Sequence, residues 1–374
     1  MSKLLGFLCP AAAAAAGLSG TRAEPPQPDA VADAQARGQV YISDLPADLE
    51  PARRLLERYS GIRARDIDGH IQAIVCPALI IASTMVFFSL CFPHSFACGP
   101  IVAMSLKCNT NRLTEHRQRE KLWEIYPYVC VGHFRFLSLQ FTSDPQYRQA
   151  LGRLLVPRNA DRSEGGDGVA RLLDVGCCVG QALRQLAHDG VDPHRLYGVD
   201  VEPRFADLGY ELFRDGHRFA ATFVVGDLLK EDCESGGGRG GAAQGLAALR
   251  GRMNIIYATS FFHLFSWAAQ VRAATRMVGF LRPDDPDAMI FGRQVGRSVP
   301  PPSPPPLADR QKESAGLGQR FLHDARTWQV LWDEVGTLTG TRWRAQFEFL
   351  DREDIAMGGA EGAVRRARFG VYRA

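Results

Sequence analysis

The residues best suited to chemistry fall in three short stretches, each closing an apolar run. The first is Leu172-Leu173-Asp174-Val175-Gly176-Cys177-Cys178-Val179-Gly180-Gln181. An apolar run that enters a glycine-bearing turn and then a helical pattern presents bare backbone N–H groups at a helix start. Glycine lets a ligand come close to them. The second run ends in Asp200 with Val201 beside it, and a carboxylate at that point can accept both hydroxyls of a ribose. The third ends in Gly226-Asp227-Leu228, a polar–apolar pair suited to the edge and face of an adenine. The dinucleotide fingerprint G-x-G-x-x-G fails here: counted from Gly176, its later glycines fall on Cys178 and Gln181. What remains is Asp-x-Gly-x-x-x-Gly, and an acid at the strand end suits a cationic amine better than a pyrophosphate. Each aspartate alone also reads as a helix N-cap or turn residue. Asp174, Asp200 and Asp227 at three successive strand ends point instead to one cleft.

Such residues need a sheet to carry them. Strands are predicted over 170–175, 196–199, 220–225, 254–258 and 288–294. Helices over 181–189, 204–215 and 267–281 alternate with them, with a short helix at 246–249. After a Pro-rich stretch (299–307), a helix over 325–337 precedes two alternating runs, 343–350 and 368–372. The pattern predicts a doubly wound, mostly parallel α/β sheet of seven strands. The two closing strands form an antiparallel pair at one edge.

Upstream, residues 1–37 have the low complexity of a disordered tail. Residues 38–74 and 119–150 read as a helical N-terminal cap, leaving 151–374 as the main domain. Within the cap, Leu49, Leu55, Leu56 and Tyr59 share one helical face, and Gly61 stops the pattern. Residues 74–91 carry no charge and are about long enough to cross a bilayer. Pro77 interrupts that run, and Pro93 breaks its far end. A second reading of the wider block, 75–118, is a translated, unspliced intron. A Val codon begins with the donor dinucleotide, a Gln codon can end on the acceptor, and Leu113-Thr114 can encode a branch-point-like sequence. Joining Ile74 to Arg119 gives HIQAIREKLWEIYPY, one continuous amphipathic helix.

The 374-residue chain has 46% hydrophobic and 23% charged residues, enough for a large core. Its formal charge of +3, without a long run of like charge, speaks against nucleic acid as a partner. The nine cysteines show no CxxC spacing, so neither a metal site nor a disulfide framework is expected, and a reducing, cytoplasmic setting is. Membrane association would rest on 74–91 alone, and self-association is left open.

The constellation over 169–374 resembles the class I S-adenosylmethionine-dependent methyltransferases. That resemblance implies a Rossmann-like methyltransferase fold with S-adenosyl-L-methionine as cofactor. Asp174, Gly176, Cys177 and Gly180 would flank its methionine part, Asp200 and Val201 the ribose side, and Asp227 with Leu228 the adenine. The family usually has a glycine where this chain has Cys178, which is tolerable if the backbone there is ordinary. Four phrases carry a closer likeness: YPYVCVGHFRFL (126–137), LLDVGCCVGQALRQLAHDG (172–190), LYGVDVEPRFADLGYELFRD (196–215) and SFFHLFSWAAQV (260–271). They resemble fungal secondary-metabolite methyltransferases, notably those of meroterpenoid pathways. In that group an I-R-x-K-x-W helix leads into the aromatic motif; here Ile74 is separated from Arg119, Lys121 and Trp123 by the odd block. Several members methylate a carboxyl of an aromatic polyketide–terpenoid intermediate, which implies a small-molecule acceptor.

A carboxylate acceptor is already ionised, whereas a phenol benefits from a general base. His263, following Ala258-Thr259-Ser260-Phe261-Phe262, stands where an acid/base or acceptor-orienting group belongs, with a histidine bonded to backbone as the plain alternative. That stretch lacks the Asn/Asp-Pro-Pro-aromatic motif of nucleic-acid amino methyltransferases. Phe261, Phe262, Phe265 and Trp267 are candidate pocket walls, at least half of them also expected in the core. Tyr126, Tyr128, His133 and Arg135 come from the cap, where Arg135 can pair with an acceptor carboxylate or simply with a surface acid. The competing reading is an inactive, methyltransferase-like binding or scaffold protein, anchored through 74–91.

Overall fold

The computed structural model describes residues 45–72, 131, 133–155, 169–216, 218–230, 245–298, 305–306, 320–354 and 364–374. The tail at 1–37, the block at 75–118, Tyr126 and Tyr128 lie outside them. No helix among the described residues is long and apolar enough to cross a membrane.

Seven strands form one sheet in the order β3-β2-β1-β4-β5-β7-β6. They are β1 (Leu172–Val175), β2 (Leu196–Asp200), β3 (Thr222–Val225), β4 (Ile255–Tyr257), β5 (Met289–Arg297), β6 (Trp343–Asp354) and β7 (Val364–Arg373). Strands β1 to β5 run parallel, and β7 pairs antiparallel with both β5 and β6. β1 is buried along its whole length, as a central strand covered on both faces must be. The sequence predicts this architecture, including the antiparallel edge. The boundaries shift for a physical reason: β5 continues to Arg297 because β7 pairs with it as far as Val364. The short helix at Leu246–Leu249 is a 3-10 turn.

The cap contributes α1 (Glu50–Arg58), α2 (Ala64–Gln72) and α3 (Pro145–Leu155). The crossover helices are α4 (Gln181–His188), α5 (Arg204–Phe213), α6 (Trp267–Phe280) and α7 (Ala325–Thr339). In α7 a reciprocal capping box links Asp324 and Thr327, so two otherwise unpaired backbone donors are satisfied at its start. Trp328 and Trp332 then reach into a core cluster, where Trp328 meets Phe262 and Phe369 edge-on at 5.1 and 5.0 Å.

Two sets of contacts dock the cap. Leu55 and Leu56 are buried, and Gly61, at φ 69°, turns the chain after α1. Tyr59 donates its hydroxyl to Asp215 (2.9 Å), and His70 Nε2 donates to the Leu212 carbonyl (2.8 Å) while Nδ1 accepts from Arg214 (3.1 Å). Nearer the strand ends, Asp144 forms a bidentate pair with Arg293 of β5 (2.7 and 2.8 Å), and the Phe141 ring lies 5.0 Å from that of Tyr257 in β4. The cap therefore grips both the far end of α5 and the carboxyl ends of β4 and β5.

Candidate active site

The turn after β1 is latched to β2. The N–H groups of Gly176 and Cys177 both donate to the Val199 carbonyl (2.8 and 3.1 Å). Cys178 N–H donates to Asp200 Oδ2 at 2.9 Å, and Gly180 N–H to the Cys177 carbonyl at 2.7 Å. This corrects the expectation of bare amides along the turn: those four are consumed by the fold. Unsatisfied donors belong instead to the first turn of α4, whose N-cap Gly180 (φ 65°) has no side chain to offer them. Cys177 is a second correction. Its side chain is buried, with Sγ 2.9 Å from where a β-carbon on Gly198 would stand, so it packs behind the turn rather than flanking a ligand. Cys178 is the third: its φ is 47°, the left-handed region that glycine adopts freely and cysteine does not.

Asp174 is buried at the end of β1 and receives no hydrogen bond from the described residues. Burial, and then the charge of Asp200, push its carboxyl well above the ordinary carboxylate range. An unpaired buried carboxyl is an expensive group until a cation arrives, which suits the amine of an amino-acid ligand. Asp200 also has its pKa raised by burial, against the pull of the backbone N–H groups that donate to it, including Cys178 and Glu202 (3.2 Å). Each carboxylate oxygen keeps a further lone pair for a ribose hydroxyl. Val201 beside it is 53% exposed, an apolar face left open at the strand end. Asp227 closes its own turn by accepting from Leu229 N–H at 2.9 Å, leaving Oδ2, 3.6 Å from Lys230, as the freer oxygen. Leu228 is buried in a core cluster with Val224 and Leu246, which leaves Val201 as the more exposed apolar side chain at these strand ends.

Across the turn stands Phe261. Its Cδ2 lies 3.4 Å from where a β-carbon on Gly176 would be, so the ring and the glycine face one another directly. Ser260, at φ 53°, makes the sharp bend after β4 that presents this ring, and its N–H is tied to the Arg293 carbonyl at 2.7 Å. Phe261 packs edge-on against Phe265 at 5.0 Å and stays half-buried. Phe262 does not share that role. It is fully buried against Trp328, Trp332 and Phe369, a core residue instead of a pocket wall, because consecutive residues of this 3-10 turn point to different sides. Trp267 is likewise in the core, its indole donating to Glu334 at 2.9 Å.

His263 follows in the same turn. Burial, with Arg320 adding to it, pulls its imidazole down to about 4, and its Nδ1 is buried without a hydrogen-bond partner. The ring is neutral at pH 7, and the backbone-bonded alternative for Nδ1 is not what the structure has. Arg135 opens the 3-10 turn Arg135–Leu137 of the cap, half-buried and without an ion-pair partner among the described residues. Sequence reasoning missed Gln294 and Arg184, both of them buried. Gln294 of β5 is buried with neither amide atom hydrogen-bonded, a rare and costly state for a polar side chain. Nearby, Gln270 bonds to the Phe265 and Phe321 carbonyls and to His323, stapling residues 321–323 over the end of β5. Arg184, buried in α4, donates to the Val179 carbonyl at 2.7 Å and so touches the turn from behind. Nothing in the local pattern distinguishes either residue from a surface one. Among the described residues there is no cluster of side chains that could hold a metal ion.

A parallel sheet with a reversed closing strand, an acid at each of three neighbouring strand ends and a glycine turn facing an aromatic ring define a nucleoside-dependent transferase of the class I methyltransferase type. Comparison with known proteins agrees. Residues 113–137 match the family described as "Meroterpenoid methyltransferase N-terminal domain". The O-methyltransferase phiE of a fungal species is 36% identical over 63% of this chain and 69% of its own length. The O-methyltransferase atr3 of Stereocaulon alpinum is 30% identical over 90% of this chain and 77% of its own. The Asnovolin E/Chermesin D methyltransferase nvfJ of Aspergillus novofumigatus is 29% identical, over 78% of each chain. The chain belongs to this family of fungal S-adenosylmethionine-dependent O-methyltransferases.

The residues present fit that cofactor. The buried carboxyl of Asp174 would answer its ammonium, Asp200 would hold its ribose, Val201 offers an exposed apolar face nearby, and Gly176 leaves room where a side chain would meet Phe261.

Proposed function

We propose that this protein methylates a carboxyl oxygen of an aromatic polyketide or terpenoid intermediate in fungal secondary metabolism. The observation that carries this reading is the weak basicity of His263 in the turn beside Phe261. A histidine held at about 4 is a poor base for a phenol, whose proton leaves near pH 10, whereas a carboxylate needs no base at all. Arg135, without an ion-pair partner among the described residues, is the cation that would hold the carboxylate. Phe261 and Phe265 supply an apolar wall for the rest of the acceptor.

S-adenosylmethionine supplies a methyl group activated on a sulfonium, transferred in line to a nucleophilic oxygen. The protein's task is then alignment and exclusion of water. Asp174 and Asp200 fix the donor's position, Arg135 orients the acceptor, and neutral His263 offers a hydrogen bond rather than proton abstraction.

Two experiments test this. Incubated with S-adenosylmethionine and a panel of aromatic acids and phenols, the enzyme is expected to give base-labile methyl esters; ethers stable to mild base would establish a phenol acceptor instead. The second concerns residues 75–118, which we read as a translated intron interrupting the cap. Support comes from the helix restored by joining Ile74 to Arg119; the family match, over 113–137, begins six residues inside the block. The joined form is expected to turn over acceptor while the full chain does so weakly or not at all; equal turnover, or a mature transcript that keeps the block, would refute this reading.

A further inference from the structure

We infer that Arg184 and Asp215 are positioning residues for the nucleoside-binding turn, with Tyr59 of the cap as the third member of the same device. The inference rests on the assignment of that turn to S-adenosylmethionine.

Arg184 and Asp215 are both completely buried. Nε and Nη2 of Arg184 donate to Oδ2 and Oδ1 of Asp215 at 2.7 and 3.0 Å, the bidentate fork. The remaining nitrogen, Nη1, donates to the Val179 carbonyl at 2.7 Å and reaches the Gly180 carbonyl at 3.4 Å. Around the guanidinium lie the rings of Phe219, Phe213 and Tyr210 at 4.5, 4.7 and 5.3 Å. Beside Arg184 Nη1, which it would approach to 3.1 Å, a β-carbon on Gly209 would stand 2.4 Å from Val179 O, so α5 presses directly on the turn. Tyr59 closes the chain of contacts by donating to Asp215 Oδ2 at 2.9 Å, and its phenol is held protonated by burial and by that carboxylate.

A buried ion pair is a poor device for stability alone. Apolar residues of similar volume often serve as well or better. What an apolar set cannot do is donate to the Val179 carbonyl. The turn needs such a hold, because Cys178 occupies the left-handed region, and non-glycine backbone of that kind persists only where its surroundings over-determine it. Arg184 thus fixes the turn from behind, while Asp200 fixes it from the side of β2. Tyr59 makes the seating of the cap part of the same hold, so a cap pulled away from α5 loosens the cofactor turn.

The test uses the full chain and S-adenosylhomocysteine as the probe. Three forms are compared with wild type: Arg184→Met combined with Asp215→Leu and Tyr59→Phe; Arg184→Lys; and Tyr59→Phe alone. Readouts are calorimetric affinity, thermal midpoint, and hydrogen exchange of the peptide spanning 176–183. The triple form is expected to stay folded near the wild-type midpoint and to bind at least about tenfold more weakly, with faster exchange confined to that peptide. Arg184→Lys, which keeps the charge and loses the fork, is expected to fall between, and Tyr59→Phe to weaken binding about two- to fivefold. A folded triple form that binds like wild type overturns the inference. If the triple form does not fold, unchanged affinity in both single forms overturns it equally. Failure of the wild type to bind the probe would overturn the site assignment itself, a separate and distinguishable result.

Discussion

The backbone N–H of Cys178 and the carboxylate of Asp200 are joined by a 2.9 Å hydrogen bond, so the acid that would hold the ribose also holds the turn beneath it. Removing Asp200 therefore takes away a ligand contact and a latch together. Asp200→Ala is expected to weaken S-adenosylhomocysteine binding roughly ten- to a hundredfold, from the ~1.5–3 kcal/mol of a hydrogen bond to a charged group. Calorimetry, with circular dichroism confirming a folded protein, checks this; a change under threefold would remove Asp200 from the site.

Asp174 links binding to pH. Its carboxyl is raised by burial, so in the free protein the neutral form is favoured, and stability from this group declines as pH rises from the unfolded value toward the folded one. An incoming ammonium needs the ionised form. Cofactor affinity is therefore expected to rise as pH increases above the ordinary carboxylate range, with proton release on binding, visible as buffer-dependent heats. Asp174→Asn should raise the thermal midpoint of the free protein by a few degrees, about 1 kcal/mol or more of relieved desolvation, while binding is largely lost.

Cys178 occupies the left-handed region, which glycine adopts freely. Left-handed backbone costs a non-glycine residue about 1–2 kcal/mol, partly offset by the greater freedom of glycine in the unfolded chain. Cys178→Gly is expected to raise the midpoint by roughly 2–4 °C with cofactor affinity unchanged or tighter. A lower midpoint would mean that the thiol contributes packing that outweighs the strain.

Gln294 carries two unsatisfied buried amide atoms. If they serve the acceptor, Gln294→Leu should stabilise the free protein by about 1–3 kcal/mol while raising acceptor KM severalfold and leaving cofactor affinity alone. Unaltered acceptor kinetics would leave the residue without a role in recognition.

The strand ends were legible because a buried parallel strand writes itself as an uninterrupted apolar run, and the chemistry follows where the run stops. Asp174 and Asp200 are read this way, as is the reversed pair β6–β7, whose alternation differs from the inner strands. The amides of Gly176 and Cys177 were not, since whether a turn donates to a ligand or to Val199 depends on a strand that comes twenty residues later. Phe261 and Phe262 look alike in sequence and part company only because the bend at Ser260 turns one ring to Gly176 and the other to Trp328. Arg184 reads as the polar face of an amphipathic helix. Its burial depends on Asp215, in the loop after the next helix, and on three aromatic rings gathered from α5 and from the segment leading into β3.

β7 lies between β5 and β6 although it is the last of the three to be synthesised. Until it emerges, β6 has no strand partner among the described residues and β5 shows a raw edge along nine residues. Translation therefore passes through an interval in which two strands without their shared partner can recruit the wrong chain. Any lesion that stops synthesis ahead of residue 364 forfeits β6 as well as β7, while the nucleoside pocket on the other half of the sheet is already built.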